Sequence, residues 1–222
     1  PRSTQGVSSA ASDVYKRQVI FSAHGVSKKV ETETNIRGLQ FHDATCPLVT
    51  KVHMEVIKHA RAERDIILIG HEGHPEVEGT MGRHIKSKNS KIYLVQDEKD
   101  AKSIKVNQPD NLALVTQTTL SVDDTKAIII ELRKRFPNLI TPKNDDICYA
   151  TQNRQDAVKQ LALENEFMIV VGSKNSSNSN RLKELSEKCG CKSILIDEFS
   201  DLISDCSEIN RQNFQSNAQC LV

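Results

Sequence analysis

The stretch FMIVVGSKNSSNSNRL, Phe167 to Leu182, decides the fold. Its first five residues form a short continuous apolar run of the kind buried in a parallel sheet. Ser and Asn residues follow, and Leu182 and Leu185 then fall at helical spacing. The order is strand, polar loop, helix. Gly172 is expected to let the chain turn, and the Ser and Asn side chains to cap a helix or hold an oxyanion. A helix start with free N–H groups and small polar side chains is a ready anion site. A plain Ser/Asn-rich surface loop with a good N-cap has the same sequence character.

The same pattern recurs outward from this stretch. VIF at 19–21 reads as a strand running into Ser22-Ala23-His24-Gly25, and LQF at 39–41 as one ending in Asp43-Ala44-Thr45-Cys46-Pro47. A helix follows from Pro47, with Leu48, Val49, Val52, Val56, Ile57 and Ala60 on one face. IILI at 66–69 is a buried-type strand ending in the polar loop GHEGHPEVEG at 70–79. Further strands are IYLV at 92–95, LALV at 112–115 and SILI at 193–196. An amphipathic helix with Val122, Ile128, Ile129, Leu132 and Phe136 stops at Pro137, and another, after Cys148, carries Ala157, Val158 and Leu161. Strands alternating with helices predict α/β architecture with parallel sheets. Residues 1–18 are Ser-rich and aperiodic, and read as translated adapter in preference to a transit-peptide remnant. The pattern degrades again from about residue 200.

The 222 residues suffice for one large domain or two ordinary ones. A formal net charge of +1 and the absence of Trp argue against nucleic acid or a membrane surface as partner. No apolar window approaches ~18 residues, the length of a spanning helix. The six cysteines, Cys46, Cys148, Cys189, Cys191, Cys206 and Cys220, make no CxxC pair, so they read as reduced thiols or metal ligands.

Ligands of open α/β sheets collect at the carboxyl ends of strands. Those ends carry His24, Cys46, His71, His74, Glu76, Thr118, Cys148, Ser176, Ser177 and Asn178. Each alone also reads as an ordinary loop residue. His71-Glu72-Gly73-His74 fails the HExxH zinc motif, because its histidines are three apart and Gly73 and Pro75 oppose a helix. Glu76 suits a proton donor or a helix-start acid. Cys46 and Cys148 each immediately precede a helix, where the metal-binding thiolate is favoured; buried structural thiols fit equally well.

Taken together the loops identify a family. FSAHGVS at 21–27, DATCPLVTKVH at 43–53, IGHEGHPEVEGTMG at 69–82, TQTTLSVDDT at 116–125, DDICYATQNRQ at 145–155 and VGSKNSSNSNRL at 171–182 occur in one order. The chain resembles the 4-hydroxy-3-methylbut-2-enyl diphosphate reductases, iron–sulfur enzymes of the non-mevalonate isoprenoid pathway, over roughly residues 19–200, and the bacterial members most. The resemblance implies a trefoil-type arrangement of α/β units with small parallel sheets. Residues 19–46 would be the remnant of a largely missing first unit, 47–145 the second, 146–200 an incomplete third, and 201–222 an unmatched tail. It implies a [4Fe-4S] cluster with three cysteine ligands, two of which match Cys46 and Cys148. The third belongs to a GFCAGV-type loop that has no counterpart here, and a C-terminal AGAS-type loop is also lacking. The sequence is therefore expected to be incomplete at both ends and, as it stands, inactive.

The implied reaction is reductive dehydroxylation of the allylic alcohol diphosphate to isopentenyl and dimethylallyl diphosphate. His24, His74, Ser176 and Asn178 match diphosphate ligands, with Ser177 in the same loop. Glu76 matches the proton-delivering acid, and Thr118 the residue that positions the substrate hydroxyl and relays the proton. The resemblance further implies a ferredoxin- or flavodoxin-type electron donor and a bacterial cytoplasmic setting, with the plastid as alternative. A reading of a different class is a non-catalytic α/β module that binds a phosphorylated small molecule through the His and Ser/Asn loops.

Overall fold

The structure, a computed structural model of the full chain, describes residues 18–85, 89–142 and 146–201. Residues 1–17 of the expected leader, and the tail from residue 202 with Cys206 and Cys220, lie outside the described residues; Gln18, read as the leader's last residue, instead begins a strand.

Seven strands and seven helices are found among the described residues, alternating except for one pair of successive helices. In chain order they are β1 (Gln18–Phe21), α1 (Lys28–Ile36), β2 (Gln40–Asp43), α2 (Pro47–Arg61), β3 (Asp65–Ile69), α3 (Pro75–Met81) and β4 (Ile92–Val95). There follow α4 (Glu98–Ser103), β5 (Leu112–Thr116), α5 (Val122–Arg135), α6 (Tyr149–Glu164), β6 (Phe167–Val171), α7 (Ser177–Lys188) and β7 (Lys192–Ile196). Three small sheets result, with orders β1-β2, β4-β3-β5 and β6-β7. Pairing is parallel, with Val19 opposite Phe41, Ile67 opposite Tyr93 and Ile169 opposite Ile194. The α/β class with small parallel sheets is thus as the sequence predicts.

The central strand shows why. Ile66, Ile67, Leu68 and Ile69 are apolar at every position and all are buried, which an inner parallel strand covered on both faces requires. From α2, Val52, Val56 and Ala60, spaced by four, pack with Ile66, Leu68, Val77 and Val115. Burying each such large side chain contributes about 1.5–3 kcal/mol. At the start of β3, Asp65 is fully buried and its carboxylate accepts from the backbone N–H groups of Lys91, Asn107 and Gln108 at 2.8–2.9 Å and from the Tyr93 hydroxyl at 3.2 Å.

The chain divides into two compact units. The first takes residues up to Gln96, then Lys105–Val115 and Asn138–Thr141; the second takes Asp97–Ile104, Thr116–Pro137 and residues from Pro142 onward. No helix among the described residues is long and apolar enough to cross a membrane.

Two local expectations change. The Ser/Asn stretch is a loop only as far as Ser176; Ser177 already opens α7, because the Ser176 hydroxyl accepts from the Ser179 N–H as a side-chain N-cap. Gly172, expected to supply a turn, has no positive φ. It is small for another reason: a methyl there would collide with the Ser179 side chain, where α7 crosses the end of β6.

Candidate functional site

In the first compact unit, His24, Cys46, His74 and Glu76 are gathered by loop backbone and by helix starts. β1 ends in a turn closed by Gly25 N–H donating to Ser22 O at 3.0 Å. Gly25 holds φ +73°, and a methyl there would stand 2.5 Å from His53 Cε1 on α2. The Cys46 N–H donates to Ala23 O at 3.0 Å, tying the start of α2 to the His24 turn. Cys46 is the N-cap of α2 and makes no side-chain capping bond, so its thiol is not used to close the helix. The preceding loop is wound by Asp43, which accepts from Thr45 N–H and Oγ1–H; these bonds, the side-chain one first, hold its carboxyl below the usual carboxylate range.

His74 is the N-cap of α3, and Pro75 takes the first helical position, where its missing N–H costs nothing. The proline that opposes a helix across His71–His74 is the residue that starts one. His74 Nδ1 accepts from the Glu76 N–H at 3.2 Å. Burial, and then the neighbouring His24 and His71, lower the His74 pKa below the usual histidine value. A neutral imidazole that accepts at Nδ1 carries its proton on Nε2, so His74 is a one-proton donor there. The His24 ring stands edge-on to it, with centroids 5.5 Å apart. Glu76 is 2% exposed on the first turn of the same helix.

α3 lies against the His24 turn at Gly79, where a methyl would stand 3.2 Å from Gly25 O, and its C-cap Gly82 lies against the start of α1. Lys28 N–H donates to Gly82 O at 3.1 Å, and a methyl on Gly82 would collide with Ser27, the N-cap of α1. Arg83 reaches across to Glu31 of α1 at 2.6 Å.

The second compact unit gathers Thr118, Cys148, Ser176, Ser177 and Asn178. Thr118, buried just past β5, accepts at its carbonyl from the Cys148 N–H at 3.0 Å. Cys148 is the N-cap of α6 and, like Cys46, makes no side-chain capping bond. The loop before α7 is wound by Ser176 N–H donating to Ser173 O and fixed by the Asn180 amide donating to Lys174 O. Ser177 and Asn178 occupy the first helical positions, whose N–H groups have no intrahelical partner. Asn178 Oδ1 is buried with no hydrogen-bond partner; an amide oxygen only accepts, so it is the Nδ2 end of this side chain that would meet an anion. Beside it opens a cavity of about 600 Å³ whose walls include Thr119, Thr151, Arg154 and Asn178.

Three thiolates are needed to hold the cluster that the sequence implies. Among the described residues no three His, Cys, Asp or Glu side chains lie together in a metal-binding group. Cys46 and Cys148 are free thiols of intermediate exposure; Cys189 is exposed, and Cys191 is buried with its Sγ near Lys192 O. The described residues therefore do not complete a [4Fe-4S] site, although two cysteines stand with unspent thiols at the end of a polar loop.

Sequence reading missed three residues that shape these loops. His53, behind Gly25, sits inside the quoted DATCPLVTKVH motif, but its i+4 place on the apolar face of α2 reads as core. Gln117 and Thr119 flank Thr118, and only the contact of Thr119 with Ser177, far away in sequence, reveals their part.

The chain is 64% identical over 184 residues to the 4-hydroxy-3-methylbut-2-enyl diphosphate reductase of Ectopseudomonas mendocina, covering 83% of this chain and 59% of that protein. It is 65% identical over the same length to the protein of that name from Alcanivorax borkumensis, with the same coverage. The chain thus spans about three-fifths of the curated relatives it matches. A solved structure, the E-1-hydroxy-2-methyl-but-2-enyl-4-diphosphate reductase from Plasmodium falciparum, superposes with a TM-score of 0.80 at 36% identity, covering 89% of this chain and 61% of that one. The LytB protein family profile matches residues 3–218, nearly the whole sequence, and the chain belongs to that family.

Proposed function

We propose that this chain carries the diphosphate-binding and proton-delivering groups of a 4-hydroxy-3-methylbut-2-enyl diphosphate reductase. The relatives' shared name supports the substrate, and the loops of both compact units support the roles. The observation that carries the reading is the start of α3. There His74, neutral and protonated on Nε2, stands beside His24, while Glu76 lies buried one turn into the same helix. Imidazole N–H donors suit diphosphate oxygens, and the helix start favours their charge. Ser176, Ser177 and Asn178 supply the same chemistry from the start of α7.

The reaction takes up two electrons and two protons, breaks the allylic C–O bond and releases water. Glu76 supplies a proton to the departing oxygen, since burial beside a bound anion favours the protonated form of a carboxyl. Thr118, buried and joined by its carbonyl to the Cys148 backbone, positions the substrate hydroxyl and passes the proton on. Cys46 and Cys148 are the two cysteines of this chain proposed as cluster ligands. When bound, the cluster supplies the electrons, which reach it from a small ferredoxin- or flavodoxin-type protein. A cytoplasmic, bacterial setting belongs to the same proposal.

The test is Glu76→Gln. Placed at the matching glutamate of a full-length reductase of the family and assayed anaerobically with a reduced viologen dye, the substitution should cost at least about 100-fold in turnover, with diphosphate affinity kept. Turnover within a few-fold of wild type would sink the assignment. Iron-free binding of diphosphate that is indifferent to Cys46→Ser, with no turnover, would favour a non-catalytic module that binds phosphorylated molecules.

A further inference from the structure

We infer that Thr119 is a positioning residue for the anion loop: its hydroxyl aims the Ser177 proton at the bound diphosphate. The inference rests on the reading of Ser176, Ser177 and Asn178 as diphosphate ligands and adds to it a residue outside that set.

The geometry is a directed chain of three groups. Gln117, 1% exposed at the end of β5, donates from Nε2 to Thr119 Oγ1 at 3.0 Å. Thr119 Oγ1 in turn donates to Ser177 Oγ at 3.1 Å. A hydroxyl has one proton and two lone pairs. The Gln117 amide donates to one lone pair of Thr119, and the Thr119 proton is directed at Ser177. Ser177 then accepts on the Thr119 side, and its own O–H cannot point back along that line. The proton is left for an acceptor beyond the start of α7, where the free N–H groups of Ser177 and Asn178 also favour an anion. A hydroxyl that accepts a hydrogen bond becomes a better donor, so the chain strengthens the bond to the ligand as well as directing it. Without it, the Ser177 hydroxyl is free to turn to nearby backbone carbonyls, the common alternative for Ser in a helix. Thr119 and Asn178, on either side of Ser177 in this arrangement, line one cavity.

Thr119→Val keeps the shape and removes the hydroxyl; Thr119→Ser keeps the hydroxyl. Calorimetric titration of the full chain with inorganic diphosphate is expected to show about fivefold weaker binding for Thr119→Val. Thr119→Ser should bind within about twofold of wild type. In a Ser177→Ala background, adding Thr119→Val should change affinity less than about twofold, because the group it orients is gone. A Thr119→Val protein that binds as wild type does, or one whose loss persists undiminished in Ser177→Ala, overturns the inference. If binding is sensitive to His74→Asn but not to Thr119→Val, the diphosphate reading stands and this inference alone falls. A wild-type protein that melts cooperatively yet binds no diphosphate overturns both.

Discussion

His53 is a buried side chain with no hydrogen-bond partner for Nε2, set against the Gly25 turn. Burial, with Arg83 adding and Asp43 opposing, pushes its pKa down from 6.5 to about 4. The unfolded chain takes up a proton as pH falls through 6.5, whereas the folded chain takes it up only near 4. The contribution of His53 to stability is therefore complete above pH 6.5 and is lost between there and about pH 4. The slope is at most about 1.4 kcal/mol per pH unit for each such histidine. His59, His74 and His84 are also held down, chiefly by burial, and add in the same direction. Urea unfolding at pH 7.5 and pH 5 should show lower stability at pH 5. His53→Gln, which cannot titrate, should shrink the difference without abolishing it. An unchanged pH dependence in His53→Gln would show that this imidazole is not held neutral.

At the scale of elements, short helices carry the loops, and their reasons for forming differ from those of the long ones. α2 and α5 are legible in sequence because their apolar residues recur at helical spacing. α1, α3 and α4 are not. KKVETETNI has almost no apolar face, PEVEGTM is seven residues with an internal glycine, and EKDAKS is six residues. Each is instead started by a side-chain cap: Ser27, His74 and Asp97. α7 was legible only from Leu182 onward, since Ser and Asn read as loop until the Ser176 cap is seen. Nearby, glycine is fixed by contact, which no local pattern discloses. Gly82→Ala would drive a methyl into Ser27. It should cost about 1–3 kcal/mol by overpacking, lift α3 from the His24 turn and weaken diphosphate binding. Wild-type stability together with wild-type affinity would contradict this packing.

At the scale of the whole chain, the α/β class and the buried strands β3 and β5 could be read from apolar runs, because a buried parallel strand has few sequence alternatives, whereas β2, with Phe41 as its one apolar residue, is mostly exposed. The gathering of His24 with Cys46 and His74, and of Thr118 with Cys148, could not be read from spacing. It rests on single backbone hydrogen bonds, Cys46 to Ala23 and Cys148 to Thr118, and on the edge-to-face pair of imidazoles. Sequence motifs named these residues through family resemblance; the fold supplies the physical reason they share loops. The most direct test of the account is calorimetric titration with 4-hydroxy-3-methylbut-2-enyl diphosphate, comparing wild type with His74→Asn. Asn keeps a capping acceptor for α3 but has no Nε2–H to offer. One binding event is expected per wild-type chain, weakened about tenfold or more in His74→Asn, with thermal stability of the two proteins alike. Wild-type affinity in His74→Asn, or a folded wild-type protein that gives no binding heat at any temperature tried, would contradict it.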